Sequence, residues 1–216
     1  TAQDYGNSER VIGQLNAGRF AISTKVHDFA NAGIKESLVA RINMSLERLN
    51  ENSIDCLYFH RVSDIALGHR DWDRLSDAVE HIKNMGLCKR IGVSIYLPAD
   101  LDKLNLDVID VIQFPCNVID GRWDETFDHS FRQRYPGIEL LARSVLLNGL
   151  LLNSKAFSAQ FPAYSYLFKG ASPLGTNHSL TSRLGYCLNG LKKLTYVDGV
   201  IVGFQTREQL QSIIKT

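Results

Sequence analysis

An α/β fold with a parallel sheet is predicted because two kinds of segment alternate along the 216 residues of the chain. Short runs of β-branched and apolar residues are typical of strands that are buried on both faces. Between them lie stretches with an apolar repeat of about 3.6 residues, which indicates amphipathic helices. Strands separated by helices run parallel and are joined by right-handed crossovers. The six predicted strands are Phe20–Val26, Asp55–His60, Arg90–Tyr96, Val108–Asn117, Ile138–Val145 and Gly199–Phe204.

Helices are predicted from the apolar repeat and from capping signals. Gly86 would end the second helix directly after Met85, the last apolar residue of its stripe. Thr206 and Gln209 have the spacing of a capping box, which predicts a last short helix. A segment rich in aromatic residues, Ser, Gly and Pro, Asn153–Ser179, is predicted to be irregular. The three apolar stripes occupy residues 38–49, 75–85 and 180–194.

Length, charge and composition predict one domain over residues 1–216. Lys and Arg number 24 and Asp and Glu 23, and this balance argues against a nucleic-acid partner or a membrane surface. No apolar run approaches the ~20 residues that span a bilayer. Residues 1–13 lack the basic start and apolar centre of a signal peptide. We therefore expect a soluble, cytoplasmic protein.

The four cysteines are predicted to be reduced and structural. Cys56, Cys88, Cys116 and Cys187 show neither the paired spacing of zinc ligands nor that of a redox dithiol. The histidines show no ligand spacing either, so no metal site is expected.

Polar side chains stand at the ends of the otherwise apolar strands. A (β/α)8 barrel, the TIM barrel, places its active site at the carboxyl ends of its strands, so this pattern favours a barrel. A doubly wound sheet also fits the alternation, but the chain contains neither a G-x-G-x-x-G motif nor a Walker A sequence. In strand order, these polar residues are Lys25, His60, Ser94, Gln113, Asn117, Arg143 and Ser144.

Eight segments, taken in order along the chain, resemble the aldo-keto reductases. Each segment alone is a weak signal, but the ordered set covers essentially the whole chain. The resemblance implies a (β/α)8 barrel that uses NADPH or NADH to reduce the carbonyl group of a small aldehyde or ketone. The segments are 1–9 (TAQDYGNSE), 22–25 (ISTK), 54–60 (IDCLYFH), 90–94 (RIGVS), 112–117 (IQFPCN), 142–144 (ARS), 200–203 (VIVG) and 208–210 (EQL).

The resemblance assigns catalytic roles to three residues. Tyr5 matches the general acid of the family, Lys25 the lysine beside it, and His60 the histidine that ends the fourth barrel strand. Hydride delivery to a carbonyl builds negative charge on oxygen, which must be stabilised or protonated. A tyrosine with a pKa of about 10 is a poor acid, and a nearby ammonium lowers that pKa by favouring the phenolate. A loop tyrosine, a snorkelling lysine and a half-buried histidine are the alternative interpretations.

Cofactor residues are implied by the resemblance near the ends of the later strands. Ser94 and Gln113 match residues that hold the nicotinamide carboxamide. Arg143 stands where many members have an aromatic residue stacked on the nicotinamide, and a planar guanidinium can stack too. Phosphate groups would be bound by the loops after the last two strands. The candidates there are Ser144, Leu146, Gly203, Thr206 and Gln209.

Some of these assignments have open alternatives. Helix capping explains Thr206 and Gln209 as well as cofactor contact does. Gln209 also replaces a basic residue that many members direct at the 2′-phosphate, so the choice between NADP and NAD stays open. Trp123 and Asn117 are the substrate candidates, because the loop after the fourth strand should emerge at the barrel mouth. Trp123 could equally cover a helix end.

The family barrel has eight strands, whereas six are predicted here. We expect the first two strands, with the catalytic Asp of the family, to precede Thr1. Without that carboxylate beside Lys25, and with Tyr5 close to a chain end, the 216-residue chain by itself is expected to be inactive. The alternative is a nucleotide-binding or assembly protein with a vestigial catalytic apparatus, since Ile95, Arg143 and Gln209 replace usual family residues.

Overall fold

The fold is given by a computed structural model that describes residues 1–16, 18–27, 33–65, 69–170 and 172–216. Helices and strands alternate along these residues. The helices are α1 (Ser8–Asn16), α2 (Ile34–Leu49), α3 (His69–Asn84), α4 (His129–Arg134), α5 (Ser154–Gln160), α6 (Leu180–Lys192) and α7 (Arg207–Ile214). The strands are β1 (Ser23–Val26), β2 (Ile54–Phe59), β3 (Cys88–Ser94), β4 (Val111–Pro115), β5 (Glu139–Arg143) and β6 (Gly199–Val200).

The six strands form one sheet in the order β1-β2-β3-β4-β5-β6. The pairings of β1 with β2, β2 with β3, β3 with β4 and β5 with β6 are all parallel. Sequential parallel order is the order of a (β/α) barrel, whereas a doubly wound sheet reverses direction at a switch point. The predicted fold class is thereby confirmed.

The strands differ from their predicted bounds mainly at their ends. The last prediction, Gly199–Phe204, is wrong for four of its residues, because β6 contains only Gly199 and Val200. Ile201 donates one further backbone hydrogen bond to Ala142 O, at 2.8 Å, and the chain then leaves the sheet. Ile201 and Phe204 are exposed, and Phe204 lies on the wall of a cavity in the second unit.

The chain divides into two compact units, which are described separately. The first contains Thr1–Gln113 and Tyr135–Glu139, and the second contains Phe114–Arg134 and Leu140–Thr216. The interpretation of residues 1–216 as one domain stays a prediction.

The core of the first unit includes the predicted stripes of α2 and α3. The prediction fails for Met85, whose side chain is 51% exposed. Helix α3 ends at Asn84, and Gly86 adopts a left-handed φ of +71°, so Met85 already lies in the turn that leaves the helix. The buried members of the two stripes are Leu38, Ile42, Leu46, Leu49, Leu75, Ala78, Val79 and Ile82.

The second unit contains ordered structure where an irregular segment was predicted. Helix α5 begins after Asn153, whose Oδ1 accepts a hydrogen bond from the Ala156 amide at 3.0 Å. Phe157 and Phe168 from this region pack in a buried cluster with Cys187 of α6. The aromatic residues of the segment therefore contribute a core of their own.

All four cysteines are buried, and none forms a disulfide. Burial raises the pKa of the Cys56 thiol to about 12 and the pKa of the other three to about 11. Thiols with such pKa values stay protonated and act as small apolar side chains, as the sequence predicts.

Helices α1 and α2 approach closely at Gly13, and this contact yields a stability prediction. A Cβ atom at Gly13 would lie 2.5 Å from Arg48 O and 2.6 Å from the Leu49 carbonyl carbon. Because backbone atoms cannot move aside as a flexible side chain can, Gly13→Ala should lower the free energy of unfolding by about 1–3 kcal/mol. The measurement is urea unfolding followed by circular dichroism.

Gly137→Ala is the matched control for that experiment, since no atom lies within 4 Å of a Cβ at that position. We expect it to change the unfolding free energy by less than about 0.5 kcal/mol. Equal midpoints for the two variants would show that α1 does not pack against α2 as described.

Candidate functional site

The three side chains predicted to be catalytic converge in the first unit. Tyr5 lies in the turn before α1, Lys25 lies in β1, and His60 directly follows β2. The ring centroids of Tyr5 and His60 are 5.9 Å apart, with the rings edge to face at 83°. The Nζ atom of Lys25 lies 5.5 Å from the centroid of the Tyr5 ring. A phenol, an ammonium group and an imidazole therefore share one small region.

Strand register explains the position of Lys25. Lys25 pairs with Tyr58 across β1 and β2, and its Nζ atom lies 5.8 Å from the centroid of the Tyr58 ring. Tyr58 in turn pairs with Gly92 of β3, and a Cβ atom at Gly92 would collide with the Tyr58 ring. The missing side chain at position 92 thus makes room for the aromatic ring that lies beside the ammonium group.

Tyr5 belongs to no strand, so other contacts must hold its turn in place. The Gln3 amide donates a hydrogen bond to Lys25 O at 3.1 Å, which joins the turn to β1. After the turn, the buried Glu9 carboxylate accepts a hydrogen bond from the Thr24 hydroxyl at 2.6 Å. Its other oxygen lies 3.4 Å from Arg48 Nη1 of α2. These contacts leave Tyr5 itself 52% exposed beside the two other side chains.

Sequence reasoning missed two members of this site, Asp4 and His27. Asp4 Oδ1 lies 2.5 Å from His27 Nε2, and Asp4 Oδ2 lies 3.3 Å from His60 Nδ1. His27 directly follows β1, as His60 directly follows β2, so the two histidines stand at the same edge of the sheet. That shared position was the available signal for His27. Asp4 carries no such signal, because it lies outside every strand and helix.

The pKa of His60 lies below its ordinary value of 6.5. Burial is the largest cause, and the positive charge of Lys25 acts in the same direction. The Asp4 carboxylate opposes them by raising the pKa, while Arg61 and His27 lower it. The neutral form of His60 therefore predominates at pH 7.

Ser94 and Gln113, predicted to hold the nicotinamide, lie side by side in the first unit. They pair across β3 and β4, and their side chains are almost fully buried. The Ile95 amide donates a hydrogen bond to Gln113 O at 2.9 Å, which continues the ladder beyond β3. Ser94 is the last residue of β3, and Gln113 is its partner in the middle of β4.

The second unit contains a cavity of about 1000 Å³, a size that can hold a large organic ligand. Its walls come from the end of β5 and the loop that follows, the start of α6, the segment after β6 and helix α7. Thr206 does not line it; its Oγ1 accepts a hydrogen bond from the Gln209 amide at 3.3 Å and caps α7. The predicted cofactor residues that line the cavity are Arg143, Ser144, Leu146, Gly203 and Gln209.

Arg183 of α6 also lines this cavity and was missed by sequence reasoning. Its Nε atom is buried and makes no hydrogen bond to any residue that the structure describes. A buried N–H without a partner is costly, and a guanidinium is a strong donor to phosphate oxygens. The residues present therefore fit an anionic ligand such as a dinucleotide, although Glu208 places a carboxylate on the same wall.

The two substrate candidates are buried in the second unit. Trp123 has no exposed surface; its indole N–H donates to Pro115 O, and its ring stacks on Phe127 with centroids 5.4 Å apart. Asn117 Oδ1 accepts a hydrogen bond from the Ile119 amide at 3.1 Å. Neither side chain lines the cavity. This packing favours a structural role for Trp123, and the substrate role of both residues stays a prediction.

Neither a metal site nor a membrane-spanning helix is found within the described ranges. There, no group of three or more His, Cys, Asp or Glu side chains is arranged to hold a metal ion. Among the helices described, none combines the length and the apolar character needed to cross a membrane.

Comparison with known proteins finds one family and several similar structures. The model of the Aldo/keto reductase family matches residues 1–216. Aldo-keto reductase AKR11C1 from Bacillus halodurans is similar in its holo form, with 22% identity, a TM-score of 0.65, and coverage of 96% of this chain and 70% of that one. Its apo form has 21% identity, a TM-score of 0.63 and the same coverage, 96% and 70%.

A third similar structure is the thermostable aldo-keto reductase Tm1743, solved with the inhibitor epalrestat. It has 19% identity and a TM-score of 0.65, and the match covers 99% of this chain and 74% of that one. At these identities the three structures establish a shared fold. No curated protein matches this chain in sequence.

Titration of His60 gives a direct test of the site. By NMR its midpoint should lie below 6.5, and Lys25→Met should raise it, because the variant removes a positive charge that disfavours the imidazolium. Lys35→Met, which removes an exposed lysine of α2, should leave the midpoint unchanged. A midpoint that Lys25→Met does not move would contradict the proximity of the two groups.

The lowered pKa of His60 also makes the stability of the folded protein depend on pH. The unfolded chain binds a proton at His60 more readily than the folded protein does. The contribution of His60 to the free energy of unfolding is therefore fully present above pH 6.5. It is lost as the pH falls from there towards the lower pKa of the folded state.

Proposed function

The chain belongs to the aldo/keto reductase family of oxidoreductases, and we propose that it reduces an aldehyde or ketone with NADPH or NADH, using Tyr5 as the proton donor. The observation that carries this proposal is the convergence of Tyr5, Lys25 and His60 in the first unit. The three residues are far apart in the sequence, and the family resemblance assigns a catalytic role to each of them.

Tyr5 supplies the proton that the carbonyl oxygen needs. The nicotinamide, when bound, supplies the hydride, and the carbonyl oxygen then gains negative charge. A half-exposed phenol can meet that oxygen from the solvent side. The ammonium group of Lys25, 5.5 Å from the phenol ring, stabilises the phenolate that proton donation leaves behind.

His60 orients the substrate oxygen by a hydrogen bond. Its ring meets the Tyr5 ring edge to face, so both groups can reach one small polar atom. Because its pKa is lowered, only a minority of His60 adds a second positive charge beside Lys25 at neutral pH.

Cofactor contacts are proposed for each unit by itself. In the first unit, Ser94 and Gln113 would offer a hydroxyl and an amide to the nicotinamide carboxamide. In the second unit, Arg143 carries a planar guanidinium of the kind that stacks on a flat ring. Arg183 would donate to a phosphate of the dinucleotide. The remaining contacts are assigned to Ser144, Leu146, Gly203 and Gln209, which line the cavity.

Replacement of the phenol tests the catalytic assignment. In the natural full-length protein, Tyr5→Phe should lower kcat for an aromatic aldehyde such as 4-nitrobenzaldehyde by about a hundredfold or more, since the variant keeps the ring and removes the acid. The measurement is the loss of NADPH absorbance, with circular dichroism to confirm folding. Tyr164→Phe, at an exposed position of the second unit, is the control.

Full activity of Tyr5→Phe would show that another group donates the proton. Nucleotide binding without turnover on a broad panel of carbonyl compounds would favour a protein with a vestigial catalytic apparatus.

The cavity assignment has its own test. Arg183→Met keeps the length of the side chain and removes its donors, and a hydrogen bond to a charged group contributes roughly 1.5–3 kcal/mol. We therefore expect NADPH to bind at least about tenfold more weakly, with a smaller dependence of affinity on salt. Fluorescence titration measures both quantities.

Arg207→Met is the matched control for the cavity, because Arg207 begins α7 but does not line the cavity. Equal losses in the two variants would point to a general effect of charge rather than a phosphate contact at Arg183.

A further inference from the structure

The carboxylate of Asp4 lies between two histidines, and the proposed function uses only one of them. Its Oδ1 atom is 2.5 Å from His27 Nε2, and its Oδ2 atom is 3.3 Å from His60 Nδ1. Both histidine side chains are 16% exposed, and the carboxylate is 33% exposed. The three groups come from the turn before α1, the end of β1 and the end of β2.

A carboxylate can only accept hydrogen bonds, and this limits the forms that His60 can take. His60 Nδ1 is buried and makes no hydrogen bond of good geometry to a residue that the structure describes. An Nδ1 lone pair would face the negative charge 3.3 Å away, whereas an Nδ1–H would be attracted to it. In a neutral imidazole, one nitrogen carries the proton and the other accepts.

We propose that Asp4, held in place by His27, keeps the neutral His60 in its Nδ1–H form, so that His60 Nε2 donates a hydrogen bond only when the imidazole is protonated. Asp4 and His27 are therefore positioning residues of the site. The inference rests on the proposed function for its catalytic meaning, because it assumes that His60 orients the substrate oxygen.

The consequence differs for the two directions of the reaction. A carbonyl oxygen needs a donor, which His60 Nε2 provides as an imidazolium. A substrate alcohol can donate to the Nε2 lone pair of neutral His60. Reduction should accordingly depend on the protonated form of His60, and alcohol oxidation on the neutral form.

The charged and titratable groups around His60 come from each of the neighbouring elements. Asp4 and Tyr5 lie in the turn before α1, Lys25 and His27 in β1 and directly after it, and Arg61 directly after His60. Lys25 and Arg61 disfavour the imidazolium, and Asp4 alone among them favours it. Asp4 therefore sets both the tautomer and the ease with which His60 gains its second proton.

Asp4→Asn removes the negative charge without changing the shape of the side chain. A carboxamide can either accept from Nδ1–H or donate to an Nδ1 lone pair, so it no longer selects one tautomer. Long-range nitrogen–proton NMR correlations on the full-length protein with labelled histidine report the tautomer directly. We expect Nδ1–H to dominate in the parent protein and Nε2–H to gain at least about tenfold relative to it in the variant, the equivalent of ~1.4 kcal/mol.

Asp73→Asn, on the exposed surface of α3, is the control for loss of one negative charge. An unchanged Nδ1–H form in Asp4→Asn, or an equal change in Asp73→Asn, overturns the proposal. The tautomer measurement requires no turnover, so a protein without carbonyl reductase activity would refute the proposed function and still decide this inference.

Kinetics provides a second readout. In the parent protein, kcat/KM for reduction of 4-nitrobenzaldehyde should fall as the pH rises through the His60 pKa, which gives the pH profile a descending limb. Asp4→Asn should flatten this limb, because neutral His60 can then donate from Nε2. His27→Leu should resemble Asp4→Asn, while His27→Gln, whose amide nitrogen still donates to Asp4, should retain more of the limb. A limb of equal size in Asp4→Asn and in the parent protein contradicts the proposal.

Discussion

The buried carboxylate of Glu9 is the contact on which the position of the candidate site depends. Tyr5 and Asp4 lie in a turn, and no sheet hydrogen bond of their own fixes them. Helix α1 carries that turn, and Glu9 joins α1 to Thr24 of β1 by a hydrogen bond and to Arg48 of α2 by an ion pair. A carboxylate that is only 2% exposed tolerates no other arrangement, since a buried charge without a partner is strongly destabilising. Tyr5, the proposed proton donor, is thus held by polar contacts, while Lys25 and His60 are held by strands.

The parallel sheet is the part of the molecule that sequence patterns predict best. Strands buried on both faces are continuous apolar runs, and a polar residue at the end of such a run marks the edge where a barrel has its active site. Lys25, His60, Ser94 and Gln113 were found in this way, and all four lie at that edge. The same rule predicts too long a strand where apolar residues continue after the last hydrogen bond of the sheet, as in the segment that follows β6. There, apolar character belongs to a cavity wall rather than to a strand.

What sequence patterns missed depends on contacts between distant residues. Asp4 is recognised as part of the site only by its contacts with two histidines, which lie 23 and 56 residues further along the chain. No periodicity in the sequence connects the three residues. Arg183 stands on the polar side of an amphipathic helix, where an arginine is ordinary, and only the cavity distinguishes it from its neighbours. For Trp123, the sequence left a ligand contact and a structural role open. The structure favours the structural role, because the indole packs with Phe114 and Phe127.

The Tyr58 ring fills the space that a side chain at position 92 would need, and this restricts how the two positions can evolve. Any side chain at position 92 requires a smaller residue at position 58, and the loss of the Tyr58 ring would remove the aromatic surface beside Lys25. Positions in two neighbouring strands, neither of which touches substrate in the proposed reaction, can therefore change only as a pair. The order of such changes matters, because shrinking residue 58 first leaves a void, whereas enlarging residue 92 first produces a collision. We therefore expect residue 58 to become smaller before residue 92 becomes larger.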